Sequence, residues 1–129
     1  MKNFLMCYPQ NFLVNYEIND WMKNKTGTVD TANALSQWKE LYKNLLSIGN
    51  KIELIKEQPI DLPDLVFTAN AAIKCDNRAL ISHFSNKERQ PESLIYQQAF
   101  EGINYKTDMS CIEQNISFEG ESCRILNNS

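Results

Sequence analysis

The feature that most constrains the fold is one long amphipathic helix pattern. Apolar residues recur at three- and four-residue steps over residues 31–48, the period of a helix with a single apolar face. Asp30 or Thr31 is suited to the N-cap, and Gly49 is suited to the left-handed residue that ends a helix. A helix with one apolar face must pack against another element, so the flanking segments decide the fold class.

Strand patterns lie on both sides of this helix. Phe4–Cys7 is a short apolar run, and Lys51–Lys56 alternates polar and apolar residues as a half-covered strand does. The order strand, helix, strand predicts a local α/β unit.

A second unit of similar order follows. Leu65–Ala72 and Arg78–His83 are predicted as strands joined by a hairpin turn at Asp76-Asn77. A short helix is predicted over Ser93–Phe100, and Asn104–Thr107 predicts another strand. The chain therefore contains about two strand–strand–helix–strand modules in an α/β fold, without an internal linker.

The stretch Leu62–Asn70 places polar residues at both ends of an apolar run. Pro63 fixes one φ and has no N–H, so it suits the entry of a strand, and Leu65–Phe67 is predicted as the buried strand itself. The side chains of Asp64 and Asn70 are too short to reach water from a covered strand. Such residues either line a ligand site or serve as turn and edge residues, and the pattern leaves both interpretations open.

Composition excludes several classes of partner. The 129 residues carry a formal net charge of -3 with a pI near 5.1, which argues against nucleic acid or an anionic membrane as partner. Apolar runs are far shorter than the roughly 20 residues of a membrane span, and the start of the chain does not resemble a signal peptide. We therefore expect a cytoplasmic protein.

The cysteines and the single histidine do not form a metal-ligand pattern. Cys7, Cys75, Cys111 and Cys123 show no CxxC spacing, and His83 is the one imidazole in the chain. We expect reduced thiols, with Cys7 and Cys75 in the core, a structural or surface role for His83, and neither a metal nor another cofactor.

Four blocks follow one another over almost the whole chain and together are more specific than any one of them. They are the opening segment, the Pro-Asp-Leu-Val-Phe stretch, a charged segment and a Phe-Glu-Gly-Glu segment: Phe4–Pro9 with Asn15–Met22, Leu62–Asn70, Glu88–Glu92 and Phe118–Glu121. These blocks resemble the guanidino-group-modifying superfamily, which includes arginine deiminases, dimethylarginine dimethylaminohydrolases, arginine dihydrolases and amidinotransferases.

The resemblance implies a fold and a chemistry. The superfamily fold, the pentein, is an α/β propeller of five modules around a central active site. Residues 1–121 would supply about two of the five modules, and residues 122–129 would form a divergent tail. In the complete enzymes a cysteine thiolate attacks the guanidinium carbon, and a histidine acts as general acid and then as base. Water completes the reaction in the hydrolases, whereas an acceptor amine does so in the transferases.

The resemblance also implies roles at the guanidinium end of the substrate. A guanidinium is a planar cation that only donates hydrogen bonds, so it is recognised by carboxylate and carbonyl oxygens. Asp64 matches a residue that lines the substrate pocket. Asn70 and Asn19 match the pair of asparagines of the arginine dihydrolase branch, where other branches carry an aspartate at the position of Asn70. A strand-entry role for Asp64 and a turn role for Asn19 are the simpler alternatives.

Two further roles follow from the later blocks. Arg89 matches an arginine expected to hold the α-carboxylate of the substrate, with an ordinary surface arginine as the alternative. Glu119 matches an acidic residue that helps to orient the catalytic histidine or the guanidinium. Glu121 is the alternative for that role, because the spacing of this motif differs by one residue from that in the deiminases.

The match stops after Glu121, before the segments that carry the catalytic histidine and cysteine in the superfamily. We therefore expect the truncated N-terminal part of a guanidino hydrolase of arginine metabolism, acting on arginine or a derivative and inactive alone. The alternative is a non-catalytic ligand-binding or interaction module that associates with a full-length relative or forms a homo-oligomer. A third hypothesis, which does not use the resemblance, is a small acidic α/β domain without a small-molecule site.

Overall fold

The computed structural model of the chain describes residues 2–14, 16–18 and 20–120. The chain divides into two units, Met1–Thr68 and Ala69–Ser129.

The first unit is built on a parallel pair of strands joined through a helix. β1 (Asn3–Met6) pairs in parallel with β2 (Lys51–Leu54), and α1 (Thr31–Ser47) forms the connection. The pairing begins with Asn3 opposite Lys51, and beyond it the Ile55 amide donates to the Met6 carbonyl over 2.9 Å. The predicted strand–helix–strand unit is confirmed.

Both ends of α1 follow the local sequence signals. The Asp30 side chain caps the N-terminus, because its Oδ1 accepts from the backbone N–H of Asn33 over 3.0 Å. Gly49 follows the C-terminus with a φ of +87°, a left-handed conformation that glycine adopts without strain. On the helix surface the ring of Trp38 stacks on Tyr42 and meets the edge of Tyr8. The aromatic residues of the predicted stripe thus connect the helix to the segment that follows β1.

The prediction of a strand over Leu65–Ala72 is wrong. The segment forms two 3-10 helices, Pro63–Val66 and Thr68–Asn70, and the strand begins only at Ala72. The ring of Pro63 fixes a φ that suits the first turn of a helix as well as a strand entry. A short apolar run is compatible with either structure, so its pattern could not decide between them.

The second unit contains a three-stranded sheet. β3 (Ala72–Cys75) pairs antiparallel with β4 (Arg78–Ile81), and β4 pairs in parallel with β5 (Lys106–Asp108). The antiparallel pairing of β3 with β4 confirms the predicted hairpin, and Asp76 in its turn has a φ of +52°. Cys75 at the end of β3 is exposed, which corrects its prediction as a core residue, because it lies beside the hairpin turn.

Helix α2 (Glu92–Gly102) makes the crossover from β4 to β5, and a short α3 (Ser110–Glu113) follows the sheet. The predicted helix over residues 93–100 is confirmed, whereas α3 was not predicted. The pKa of Asp108, just before α3, is lowered mainly by a hydrogen bond from the Ser110 hydroxyl. The Ser110 backbone N–H and the charge of Arg78 lower this pKa further. The core of this unit lies between the sheet and α2, and its buried apolar side chains include Ala79, Ile81, Phe84, Tyr96 and Phe100.

The described residues thus form a mixed α/β structure, and its arrangement within a five-module propeller stays a prediction. Within ranges 2–14, 16–18 and 20–120, no helix combines the length and the apolar character needed to span a bilayer.

The cap of α1 gives a first testable prediction. Asp30→Ala removes the acceptor of the Asn33 amide, so we expect a loss of about 1 kcal/mol in the free energy of unfolding. Urea unfolding followed by circular dichroism measures this loss. Asp30→Asn keeps an equivalent capping oxygen and serves as the matched control, with a change near zero. An equal loss in the two variants would argue against the cap.

Candidate functional site

A buried ion pair lies at the start of α2. The guanidinium of Arg89 donates from Nε to Oε2 of Glu92 over 2.9 Å and from Nη2 to Oε1 over 2.8 Å. The arginine is 6% exposed and the glutamate is 0% exposed. Two parallel N–H···O bonds fix the guanidinium plane relative to the carboxylate. The alternative of Arg89 as a surface charge does not fit this burial.

The local sequence explains why this pair forms. Pro91 occupies the N-cap position of α2 and Glu92 is the first residue of the helix. The Glu92 amide donates to the Arg89 carbonyl over 2.9 Å. This turn brings two side chains three residues apart to the same side of the chain. A carboxylate in the first helical turn is also favoured by the helix dipole.

Two further contacts of Arg89 come from elsewhere in the second unit. Its guanidinium carbon lies 4.3 Å from the centre of the Phe84 ring, a stacking distance for a cation on an aromatic face. Its Nη1 donates to Oδ1 of Asn70 over 3.0 Å. A guanidinium has no acceptor, so the Asn70 atom that faces it must be the amide oxygen. Arg89 thereby fixes which way the Asn70 amide points.

A buried hydroxyl links Asn70 to the Phe-Glu-Gly segment. Ser82 Oγ donates to the Asn70 carbonyl and accepts from the Gly120 amide, which lies 3.0 Å away. Ser93 Oγ in turn donates to the Ser82 carbonyl over 2.5 Å. Ser82, directly after the end of β4, therefore joins residues from two of the sequence blocks.

Gly120 lies too close to the sheet to carry a side chain. A Cβ built on it would be 2.5 Å from the carbonyl oxygen of Ala72 and 2.8 Å from its carbonyl carbon. The preceding Phe118 pairs through its backbone with His83 in an antiparallel bridge. Glu119, which is partly buried, is thus held between two anchored residues.

Asp64 lies in the first unit and is almost fully buried. Its Oδ2 accepts from the hydroxyl of Tyr16 over 2.7 Å. Tyr16 belongs to the Asn15–Met22 block, so two of the blocks that carry the family resemblance are joined inside this unit. Asn19 and Glu121 lie outside the described residues.

Of the predicted site residues, the structure connects Asn70 directly to Arg89 and connects both to the backbone beside Glu119. No role was predicted for Glu92, Phe84 or Ser82. The three-residue spacing of Arg89 and Glu92 across a proline at a helix start was the available signal for the ion pair. Across the described ranges, no three His, Cys, Asp or Glu residues are grouped so that they could hold a metal ion.

Comparison with known proteins shows to which family the chain belongs. The profile of the family described as N,N dimethylarginine dimethylhydrolase, eukaryotic, matches residues 8–129. The bifunctional arginine dihydrolase/ornithine cyclodeaminase AgrE of Nostoc sp. is 35% identical over 123 residues, which are 95% of this chain and 17% of the relative. The N(G),N(G)-dimethylarginine dimethylaminohydrolase of Mycobacterium tuberculosis is 35% identical over 106 residues, 81% of this chain and 34% of the relative.

A solved structure agrees in fold. The binary complex of an AgrE cysteine-to-alanine mutant with L-arginine superposes with a TM-score of 0.81 at 35% identity, over 92% of this chain and 17% of that one. The chain spans 17% of the length of the Nostoc relative and 34% of the length of the Mycobacterium tuberculosis relative.

The close approach of Gly120 predicts a sharp difference between two glycines. Gly120→Ala forces a methyl group against the Ala72 backbone, so we expect a loss of about 1–3 kcal/mol in the free energy of unfolding. Gly102→Ala is the matched control, because its Cβ would meet no described heavy atom within 4 Å. Urea unfolding of both variants tests this, and equal stability would contradict the described packing.

The buried ion pair predicts a strong coupling between its members. Arg89→Met leaves the Glu92 carboxylate buried without its cation, so we expect a loss of about 3–5 kcal/mol in unfolding free energy. Adding Glu92→Leu removes the buried charge as well and should recover most of that loss. The exposed Arg78→Met is the control, with a change within about 0.5 kcal/mol. Additive losses in the double variant would mean that the pair is not coupled.

Proposed function

The chain belongs to the N,N-dimethylarginine dimethylhydrolase family, and we propose that it forms the substrate-binding part of a cysteine-dependent guanidino hydrolase. The reaction is hydrolysis of a C–N bond of arginine or an arginine derivative, as in the arginine dihydrolases. The observation that carries this proposal is the buried hydrogen bond from Arg89 to Asn70. It joins two residues of separate sequence blocks that the resemblance assigns to opposite ends of one substrate.

The proposed roles follow from what an arginine molecule presents. Its guanidinium donates hydrogen bonds to oxygens, and its α-carboxylate accepts them. Asp64, Asn70 and Asn19 are proposed for the guanidinium, and Arg89 for the carboxylate. A carbonyl oxygen has two lone pairs, so Asn70 Oδ1 can accept from a substrate N–H as well as from Arg89.

An amide rather than a carboxylate at position 70 supports the dihydrolase assignment. Asn70 adds no negative charge beside the reacting carbon, whereas an aspartate would stabilise the cationic guanidinium more strongly. This charge difference changes the relative stability of the cationic substrate and of later, less cationic species. A bifunctional arginine dihydrolase is among the relatives that are 35% identical to the chain.

Glu119 is proposed to orient the catalytic histidine or the substrate guanidinium. The neighbouring Gly120 is held by Ser82 and by its close approach to Ala72, so the carboxylate projects from a fixed backbone. A carboxylate that positions an imidazole must itself be positioned, which the bridge between Phe118 and His83 supports.

We further propose that the 129 residues alone do not turn over arginine. The mechanism needs a thiolate in contact with a general acid and base. Of the described cysteines, Cys7 is buried in the first unit, Cys75 is exposed beside the hairpin turn and Cys111 is partly buried in α3. The ring of His83 lies 3.0 Å from the Asn115 side chain. The proposal therefore assigns nucleophile and general acid to residues outside this chain.

Turnover is tested by measuring ammonia, citrulline and ornithine release from L-arginine by the purified chain. We expect none from the chain alone, because none of the proposed binding residues is a nucleophile in this mechanism. Turnover that is abolished by replacing any one of the four cysteines would overturn this part of the proposal. A full-length arginine dihydrolase assayed in parallel is the positive control.

Binding is tested separately by calorimetric titration of the chain with L-arginine. Asp64→Asn removes a negative charge with little change of shape, so we expect at least about tenfold weaker binding than for the unchanged chain. Asp61→Asn makes the same chemical change at an exposed position three residues away and should bind as the unchanged chain does. Equal affinities for the two variants would remove Asp64 from the proposed site.

A further inference from the structure

We propose that Glu92 is a positioning residue that sets the orientation of both Arg89 and Asn70 toward the substrate. The inference rests on the proposed function, because it takes Arg89 as the ligand of the α-carboxylate and Asn70 as a ligand of the guanidinium. Nothing in the resemblance assigns a role to Glu92.

The first step is the constraint on Arg89. A free arginine side chain rotates about four bonds, and its guanidinium can present any edge. Here the carboxylate of Glu92 takes the edge formed by Nε and Nη2, at 2.9 and 2.8 Å, and the Phe84 ring covers one face at 4.3 Å. Two bonds to one carboxylate fix the plane of the guanidinium and its rotation within that plane.

The second step is that Glu92 is itself held. It is the first residue of α2, and the hydroxyl of Tyr96 one turn later donates to its Oε1 over 3.3 Å. Its side chain is 0% exposed. A carboxylate this deeply covered acts on a substrate through Arg89 rather than by touching the substrate, so it is a positioning and not a catalytic residue.

Through Arg89, Glu92 also determines the orientation of the Asn70 amide. Because Nε and Nη2 are directed to Glu92, Nη1 is the nitrogen that meets Asn70, at 3.0 Å from Oδ1. The amide oxygen of Asn70 therefore faces Arg89, and the amide nitrogen points another way. One buried carboxylate thus sets the presentation of a cation for one end of the substrate and of an amide for the other.

A purely electrostatic effect of Glu92 would change the affinity for an anionic group in the opposite direction. Glu92 neutralises Arg89, so if its effect were only electrostatic, removing its charge would strengthen the binding of an anionic group. If its effect is positioning, removing either the charge or the reach of the side chain weakens that binding. The two accounts are separated by Glu92→Gln, which removes the charge, and Glu92→Asp, which keeps it on a shorter side chain.

The experiment compares two ligands by calorimetric titration of the chain. L-arginine and agmatine share the guanidinium, but agmatine lacks the α-carboxylate. The dissociation constant of agmatine divided by that of arginine therefore reports the contribution of Arg89. We expect the unchanged chain to prefer arginine by about tenfold or more, since a charge-assisted hydrogen bond to the carboxylate is lost with agmatine. Both Glu92 variants should lower this ratio toward one.

The controls separate positioning from folding. Glu88→Gln makes the same change at an exposed residue of the same segment, and the ratio should stay as in the unchanged chain. Urea unfolding shows whether each variant is folded. If a Glu92 variant is unfolded, Tyr96→Phe removes only the hydroxyl that holds Glu92, and we expect a smaller fall in the same ratio.

The outcomes distinguish this inference from the proposed function. An unchanged ratio in folded Glu92 variants, a higher ratio in Glu92→Gln, or an equal loss of affinity for both ligands would overturn the positioning role and leave the proposed function standing. An unchanged chain that binds neither ligand would overturn the binding part of the proposed function, and the inference with it. A lower ratio in both Glu92 variants but not in Glu88→Gln supports the inference.

Discussion

The second unit depends on how a buried positive charge is accommodated. Arg89 cannot lose its proton at any ordinary pH, so its burial requires a partner that carries the opposite charge. Glu92 is that partner, and the helix start that places it one turn away also favours its negative charge. The ring of Phe84 and the amide of Asn70 also contact the guanidinium. The start of α2 and the segment before β3 are thereby tied to one charged group.

The same contacts connect structure to the proposed chemistry. A site for a small cationic and anionic molecule needs groups of fixed direction, because each hydrogen bond to a charged ligand depends on its geometry. Asn70 is fixed through its side chain by Arg89 and through its backbone by Ser82. Ser82 also holds Gly120, so the block that contains Glu119 is anchored to the same strand end. This shared anchoring links Asn70 to the backbone beside Glu119, two of the residues proposed for the site.

Much of the fold was predictable because its signals are local. The cap at Asp30, the left-handed Gly49 and the hairpin turn at Asp76 are properties of a few neighbouring residues, and the structure has all three. The Leu65–Ala72 segment was not predicted correctly, because a proline followed by an apolar run suits a strand entry and a 3-10 turn equally well. Packing around the buried Leu65 selects one of the two, and packing is not encoded in the local pattern.

The sequence by itself determined the α/β order of elements and the family, since periodicity, caps and motif blocks are read along the chain. It also indicated Asn70 and Arg89 as site residues through the resemblance. Only the tertiary structure decided that these two residues bond to each other and that Glu92 holds the arginine. Partners 19 residues apart are chosen by how the hairpin and α2 pack, because a hydrogen bond requires contact within about 3 Å. Gly120 illustrates the same limit, since the need for glycine there comes from the Ala72 backbone across the fold.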